Sequence, residues 1–196
     1  MKKKKIILGS SSKFRKSLLS TINIEFSCIS PNIDEKQLPN EKPKNMALRL
    51  AIEKGKRISQ NYKDSLVISS DACAACEGKI LGKPITKTKA QEYLKFISEK
   101  TIFFYTSICL MDSNTMSYDI DLATYEIKIK KLSEKVINDY INKYKPLNSS
   151  AAFRYEVAKD ILVDSFIDKE NDISGLIGLP LIKLKKMLEK NNIITD

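Results

Sequence analysis

The 196-residue sequence contains no histidine and no tryptophan, and it has only six glycines. The absence of histidine excludes a Ser-His-Asp triad, a Cys-His catalytic pair and a histidine-ligated zinc site. Any chemistry must therefore use carboxylates, lysine, arginine, hydroxyls or thiols, or a metal held by oxygen. No apolar run approaches the roughly 20 residues that span a bilayer, and only three apolar residues follow the lysines at positions 2–5. We therefore expect a cytoplasmic protein with no membrane partner.

The charge is strongly positive, with 34 Lys and Arg against 24 Asp and Glu, a net charge of +10. Such a charge suggests a polyanionic partner, which could be nucleic acid, an anionic membrane or a nucleotide. Lysine, isoleucine and asparagine are abundant, however, which indicates a compositional drift that places lysine wherever the surface tolerates it. We therefore do not expect dedicated nucleic-acid binding from the charge alone. The four arginines, in contrast, suggest positions that need a planar, bidentate cation.

Hydrophobic periodicity predicts strands that alternate with helices. The predicted strands are 5–9, 24–29, 66–70 (ending at Asp71), 101–110, 118–129 and 161–167, and the predicted helices are 13–20, 45–62, 87–98, 133–146 and 180–190. The strands around residues 112–114 form a hairpin that interrupts the alternation. We therefore expect an α/β fold with a mixed β-sheet and flanking helices, built as a single domain over residues 1–196.

A small polar segment, Gly9-Ser10-Ser11-Ser12, separates the first strand from a helix that carries Lys13, Arg15 and Lys16. Backbone N–H groups, hydroxyls and cations at such a helix start can bind phosphate. The segment is not a Walker A loop, because the chain contains no G-x-x-x-x-G-K-[ST] pattern. The same residues also fit an ordinary capped helix with solvated lysines.

Carboxylates and a lysine follow at positions that suit phosphate chemistry. Asp34 and Glu35 lie in a predicted loop, and Asp71 comes at the carboxyl end of an apolar strand, where open α/β sheets bind ligands. Converging carboxylates could hold Mg²⁺ or Mn²⁺ against phosphate oxygens and orient a water. Lys83, between a glycine and a proline, fits a phosphate clamp. Both Asp71 and Lys83 fit simple turn chemistry as well.

Cys73 and Cys76 form a C-x-x-C spacing, which is typical of thioredoxin-like redox sites and of half a zinc site. The chain has no second Cys pair and no histidine to complete a zinc shell, and the motif lies in strand-like sequence rather than at a helix start. We therefore predict that both are small buried core residues with reduced thiols.

Taken in order along the chain, these stretches resemble the motifs of the Maf family of nucleoside triphosphate pyrophosphatases. The matching stretches are L-G-S-S-S-K-F-R at 8–15, I-D-E at 33–35, A-I-E-K at 51–54, S-D through E-G-K-I-L-G-K-P at 70–84, F-Y-T-S at 104–107 and G-L-I-G-L-P-L at 175–181. They cover nearly the whole chain, in the family's order and spacing.

The resemblance implies a Maf/ITPase-like fold with two lobes around a cleft and, as in many members, a homodimer. It implies hydrolysis of the α–β phosphate bond of a nucleoside triphosphate, with a divalent cation, Mg²⁺ or Mn²⁺, as cofactor. By the same resemblance, Asp71 is the catalytic proton acceptor, and Glu35 and Asp71 are metal ligands. The implied substrate-binding residues are Ser10, Ser12, Phe14, Arg15, Lys54, Ala72, Lys83 and Glu156.

Within the family, the chain is most similar to the branch that acts on 7-methyl-GTP rather than on dTTP and UTP. Phe14 stands where the dTTP branch has an arginine, and Glu156 stands where that branch has a glutamine. An aromatic face and a carboxylate suit a cationic, methylated guanine. Ala72 departs from the glutamine usual in the 7-methyl-GTP branch, and Ser107 departs from a glycine.

Two other functions stay open at this point. A basic nucleic-acid-binding module on a catalytically inactive Maf-like scaffold predicts steeply salt-dependent binding and no metal-dependent turnover. A thiol redox protein predicts that Cys73→Ser abolishes function, whereas the buried-core interpretation predicts little change.

Overall fold

A computed structural model of the chain describes residues 4–169 and 171–194. Its strands are β1 Lys5–Leu8, β2 Ser27–Cys28, β3 Ser65–Cys76, β4 Lys79–Ile80, β5 Thr101–Asp112, β6 Tyr118–Ile129 and β7 Val163–Asp168. Its α-helices are α1 Lys13–Ser20, α2 Pro43–Ser59, α3 Lys87–Ile97, α4 Glu134–Tyr144, α5 Tyr155–Ile161, α6 Ser174–Ile177 and α7 Leu181–Lys190. Two short 3₁₀ turns, Pro146–Asn148 and Ser150–Ala152, lie between α4 and α5.

The strands form a sheet in the order β2-β1-β3-β5-β6-β7, with β4 paired to β3. Strand β1 runs parallel to β2 and to β3, with Leu8 opposite Cys28 on one side and Ile68 on the other. The β3–β4 and β6–β7 pairs are antiparallel. The predicted α/β fold with a mixed sheet is therefore confirmed.

The chain divides into two compact units. The first contains residues 1–71, 106–123 and 172–196, and the second contains residues 72–105 and 124–171. Strands β3, β5 and β6 each contribute residues to both units. A single domain over the whole chain stays a prediction.

The first unit has three layers because its strands are apolar on both faces. Leu8 and Ile68 lie in one buried cluster with residues of α1 and α7, such as Leu184. Val67 lies in the other cluster, with Ala51 and further residues of α2. Since side chains alternate along a strand, the even-numbered residues of β3 up to Ser70 face α1 and α7, and the odd-numbered ones up to Asp71 face α2. This alternation sets the two faces on which the site residues lie.

The second unit is built around α3 and α4, which pack against each other. Leu94 of α3 and Ile141 of α4 are buried, as is Tyr140. The Tyr140 hydroxyl donates to the Ala152 carbonyl at 3.2 Å and accepts from the Arg154 N–H at 3.1 Å. One tyrosine therefore fixes the chain where it enters α5.

Several predicted boundaries were wrong. Strand β3 does not end at Asp71 but continues to Cys76, because residues 72–76 are small alanines and cysteines that pair onward, Ala75 opposite Ile80. The strand expected over residues 24–29 is only Ser27–Cys28, and helices α5 and α6 were not predicted. The prediction for the C-x-x-C motif is confirmed, since Cys73 and Cys76 are buried thiols.

Among the residues that the structure describes, no helix is both long enough and apolar enough to span a bilayer.

Candidate active site

The loop after β1 is held close to the sheet and opens α1. Gly9 donates its N–H to the Ile68 carbonyl at 2.7 Å, and a Cβ on Gly9 would lie only 2.8 Å from Cδ1 of Ile58, so the Ile58 side chain would have to shift to admit one. The Ser12 N–H donates to Oγ of Ser10 at 3.1 Å. Ser12 is the N-cap of α1, and its hydroxyl accepts from the Arg15 N–H at 3.4 Å. The predicted start of α1 and its serine cap are confirmed.

Arg15 extends from α1 toward the chain near the carboxyl end. Its Nε donates to the Gly178 carbonyl at 2.8 Å, and its Nη1 lies 3.5 Å from Oγ of Ser10. Burial lowers the pKa of Arg15, while the negative charges of Asp71 and Glu35 act in the opposite direction. A guanidinium remains protonated in either case. Arg15 therefore brings a permanent positive charge within electrostatic reach of both carboxylates.

Lys54, on α2, joins the two carboxylates that the sequence placed far apart. Its Nζ lies 2.6 Å from Oδ1 of Asp71 and 2.7 Å from Oε1 of Glu35. The side chains of Lys54 and Asp71 are only 5% and 9% exposed, whereas that of Glu35 is 52% exposed. A lysine this buried is tolerated because its charge is paired. The result is a charged cluster that is buried on the side of Asp71 and exposed to solvent on the side of Glu35.

Neighbouring hydroxyls fix the backbone around Asp71. Its N–H donates to Oγ of Ser107 at 3.2 Å, and the Ser107 hydroxyl donates to the Ala47 carbonyl of α2 at 2.7 Å. On the opposite face of β3, the Ser70 hydroxyl donates to the Gly178 carbonyl at 2.9 Å. Ser70, Ser107 and Gly178 were not among the predicted site residues, although all three lie in the matching stretches at 70–84, 104–107 and 175–181.

Three predicted substrate-binding residues belong to the second unit. Ala72 follows Asp71 directly in β3 and is half-buried, Lys83 is exposed in the loop after β4, and Glu156 is exposed in the first turn of α5. Of the remaining predicted residues, Phe14 lies in the first unit, with 52% of its side chain exposed.

The loop that carries Lys83 is held by unusual backbone. Ile85 has a φ of +63°, a conformation rare for a β-branched residue, and its N–H donates to the Leu147 carbonyl at 3.0 Å. Ala151, with a φ of +55°, donates its N–H to the Leu81 carbonyl at 3.0 Å. Backbone strain of this kind gathers at functional sites, where the surrounding structure maintains it.

The donor set of the first unit fits a divalent cation completed by its substrate. Within the described part of the chain, no group of three or more Cys, Asp or Glu side chains is arranged to hold a metal ion. Asp71 and Glu35 nevertheless supply two carboxylates around one ammonium. Mg²⁺ is commonly bound by one or two protein carboxylates together with phosphate oxygens and waters. A cation bound there would compete with Lys54 for the same oxygens.

Comparisons with known proteins agree with the motif order. The family model described as "Maf-like protein" matches residues 5–191. A 7-methyl-GTP pyrophosphatase from Colwellia psychrerythraea is 38% identical over 97% of this chain and 94% of its own length. The 7-methyl-GTP pyrophosphatases of Pseudoalteromonas atlantica and Pseudomonas syringae pv. tomato are 39% and 34% identical, over 95% and 96% of this chain and 94% and 97% of their own lengths.

Among solved structures, a HAM1 protein from Coxiella burnetii aligns with 80% of this chain and 90% of its own, with 14% sequence identity and a TM-score of 0.45. The family model covers nearly the whole chain, from residue 5 to residue 191. The chain belongs to the Maf family.

Proposed function

We propose that this protein is a nucleoside triphosphate pyrophosphatase, which hydrolyses the α–β phosphate bond and releases a nucleoside monophosphate and pyrophosphate. The observation that carries the proposal is the buried Lys54 with Asp71 and Glu35 on its Nζ, in the same unit as Arg15 and the Ser10–Ser12 loop. Anion-binding groups and a sheltered carboxylate are what hydrolysis of a phosphoanhydride requires.

Asp71 is the proposed proton acceptor for the attacking water. Lys54 binds its Oδ1, and the N–H of Asp71 is fixed by Ser107, so the carboxylate has a defined orientation. We assign Oδ2 to the water, and Oδ1 would be shared between Lys54 and the cation proposed below. A carboxylate in hydrogen-bond reach of the nucleophile contributes roughly 10²- to 10⁴-fold to rate in comparable enzymes.

The phosphates are bound by positive charge and by N–H donors. Arg15 uses Nε and one Nη in its protein contacts, and the remaining donors of the guanidinium can serve phosphate oxygens. We propose that the hydroxyls of Ser10 and Ser12, together with Lys54, complete the phosphate contacts within the first unit. Lys83 of the second unit keeps its predicted role as a phosphate-binding residue. Charge that develops on the leaving pyrophosphate is thereby stabilised.

We further propose that Glu35 and Asp71 hold Mg²⁺ or Mn²⁺. When bound, such a cation neutralises charge on the phosphate oxygens.

We also propose that the protein is cytoplasmic and forms a homodimer.

We propose 7-methyl-GTP as the substrate, with Phe14, Ala72 and Glu156 as the specificity positions. The related proteins named 7-methyl-GTP pyrophosphatase support this choice. An exposed ring such as that of Phe14 can stack on a cationic base, and an exposed carboxylate such as that of Glu156 can pair with a positive charge. Removal of a modified nucleotide from the pool is the corresponding biological role.

The test is pyrophosphate release by purified protein, with Mg²⁺ or Mn²⁺, from a panel of the common nucleotides, including dTTP and UTP, and 7-methyl-GTP. We expect release to be concentrated on 7-methyl-GTP. A preference for dTTP or UTP would support the proposed pyrophosphate release but refute the assignment to the 7-methyl-GTP branch. No release from any nucleotide, with salt-dependent binding to DNA or RNA, would favour the nucleic-acid-binding module instead.

Asp71→Asn tests the assignment of the proton acceptor. We expect it to lower the rate by about 100-fold or more. The matched control is Asp139→Asn, which removes an exposed carboxylate on α4 in the second unit and should leave the rate unchanged. If Asp71→Asn retains most of the activity, Asp71 is not the base.

A further inference from the structure

The Gly178 carbonyl accepts two hydrogen bonds that meet at the candidate site. Arg15 Nε donates to it at 2.8 Å from α1, and the Ser70 hydroxyl donates to it at 2.9 Å from β3. We propose that Gly178 is a positioning residue, which orients the Arg15 guanidinium toward the phosphates of the substrate. This inference rests on the proposed function, since it assigns the phosphate-gripping role to Arg15.

The chemistry of the acceptor matters as much as its position. A carbonyl is neutral, so it fixes the plane of the guanidinium through Nε without neutralising the charge that a phosphate needs. Arg49 shows the other arrangement, in which Nε and Nη2 bind Glu41 at 2.6 and 2.8 Å and Nη1 binds Glu53 at 3.0 Å. Arg49 is used in a structural ion pair, whereas the positive charge of Arg15 stays available to an anion.

Gly178 can place its carbonyl there because it has no side chain. Its φ is +130°, a conformation that residues with a Cβ rarely adopt. A Cβ built on Gly178 would lie 3.5 Å from Nε of Arg15 and 3.7 Å from its Cγ. Both distances are ordinary van der Waals contacts, so a substitution of Gly178 acts through the backbone, where strain at this φ shifts the carbonyl that holds Arg15.

Hydrogen bonds at both ends hold the segment around Gly178. Asp172, which is 8% exposed, accepts the N–H of Ser174 at 3.0 Å and that of Ile182 at 2.8 Å. The Ser174 hydroxyl accepts from the Leu181 N–H at 2.8 Å. The Gly178 N–H itself donates to the Ser174 carbonyl at 3.0 Å. The start of α6 and the start of α7 are thus tied to one carboxylate, which limits the movement of the turn between them.

Gly178→Ala is the first variant, and Gly78→Ala is its matched control. Gly78 also has a positive φ, +78°, but a Cβ there meets nothing within 4 Å. We expect Gly178→Ala to weaken binding of inorganic pyrophosphate, measured by calorimetry, by roughly 10-fold or more, the effect of losing a hydrogen bond to a charged group. KM for the nucleotide should rise by a similar factor. Gly78→Ala should match the wild type in both measurements.

A double-mutant cycle with Arg15→Lys separates positioning from general damage. Lysine has no Nε donor in the guanidinium plane, so Gly178→Ala should add less than about 3-fold in the Arg15→Lys background. A full 10-fold effect in that background would overturn the proposal. So would an unchanged Kd and KM in Gly178→Ala itself.

If Gly178→Ala does not fold, as judged by its thermal unfolding, Ser70→Ala replaces it in the cycle. That variant removes one of the two donors to the same carbonyl and leaves the backbone intact. We expect roughly 2- to 5-fold weaker pyrophosphate binding that depends on Arg15. An unchanged Kd in Ser70→Ala would then count against the proposal.

The two readouts distinguish this inference from the proposed function. The wild type could bind inorganic pyrophosphate but release none from any nucleotide. The proposed function then fails, while the double-mutant cycle, measured as the Kd for pyrophosphate, still tests the role of Gly178. A wild type that neither binds pyrophosphate nor turns over a nucleotide refutes both.

Discussion

Lys54→Met removes the ammonium between Asp71 and Glu35 and keeps an unbranched side chain in its place. The Asp71 side chain is only 9% exposed, so its carboxylate is left buried without its partner. Loss of one member of a buried ion pair costs about 3–5 kcal/mol. The Glu35 side chain is 52% exposed, and its share is screened by water to less than about 1 kcal/mol. We expect the free energy of unfolding to fall by about 3 kcal/mol at pH 7.

Urea denaturation, followed by circular dichroism, measures this change. The control is Lys56→Met, on the same helix but exposed, which should stay within about 0.5 kcal/mol of the wild type. Adding Asp71→Asn to Lys54→Met removes the unpaired charge and should restore about 2 kcal/mol. If Lys54→Met differs from Lys56→Met by less than about 1 kcal/mol, or if Asp71→Asn restores nothing, the buried charge pair is not the source of stability.

Three further predictions concern other parts of the chain. Ile85→Gly should raise the urea midpoint of unfolding. It relieves about 1–3 kcal/mol of backbone strain at φ +63°, which exceeds the entropy cost of glycine, about 0.5–1 kcal/mol. A lower midpoint would contradict the presence of strain at Ile85. Iodoacetamide at pH 8 should label exposed Cys28 and spare Cys109, whose pKa is raised to about 12 by burial; equal labelling by mass spectrometry would refute it. Hydrogen bonding from Arg49 lowers the pKa of Glu41, so its stabilising contribution is present above the unfolded pKa and is lost as pH falls through the folded one. Glu41→Gln should therefore be less stable than the wild type at pH 7, and urea unfolding should show the difference closing below about pH 4.

Local sequence signals predicted the elements whose ends are chemically marked. Helix α1 is found at the predicted residues 13–20 because Ser12 caps it and its apolar residues recur at helical spacing. The end of β3 was misplaced because an aspartate after an apolar run usually begins a turn. Asp71 instead lies within the strand, its carboxylate is paired with Lys54 of α2, and the strand continues to Ala75, which lies opposite Ile80 of β4. A local rule failed where a distant residue changed the environment.

The sequence predicted which residues belong to the site but not how their side chains contact one another. The Maf motifs pointed to Glu35, Lys54 and Asp71, while spacing alone could not show that one ammonium joins both carboxylates. The contact of Arg15 with Gly178 had no sequence signal of its own, because a backbone carbonyl looks the same at every residue. Gly178 lies in the matching stretch at 175–181, and only tertiary structure shows which group its carbonyl binds.

The partnership of Arg15 with Gly178 also sets a time order for assembly. The two residues are 163 positions apart, which corresponds to roughly 8–33 s of synthesis at about 5–20 residues per second. The residues of α1 and its serine cap are synthesised early, but the arginine has no carbonyl to anchor it until the last part of the chain has been made. A nascent or prematurely terminated chain that lacks residues 172–182 contains Arg15 but not the carbonyl that anchors it. If Gly178 positions Arg15 as proposed, only chains that extend past residue 178 should bind pyrophosphate with full affinity.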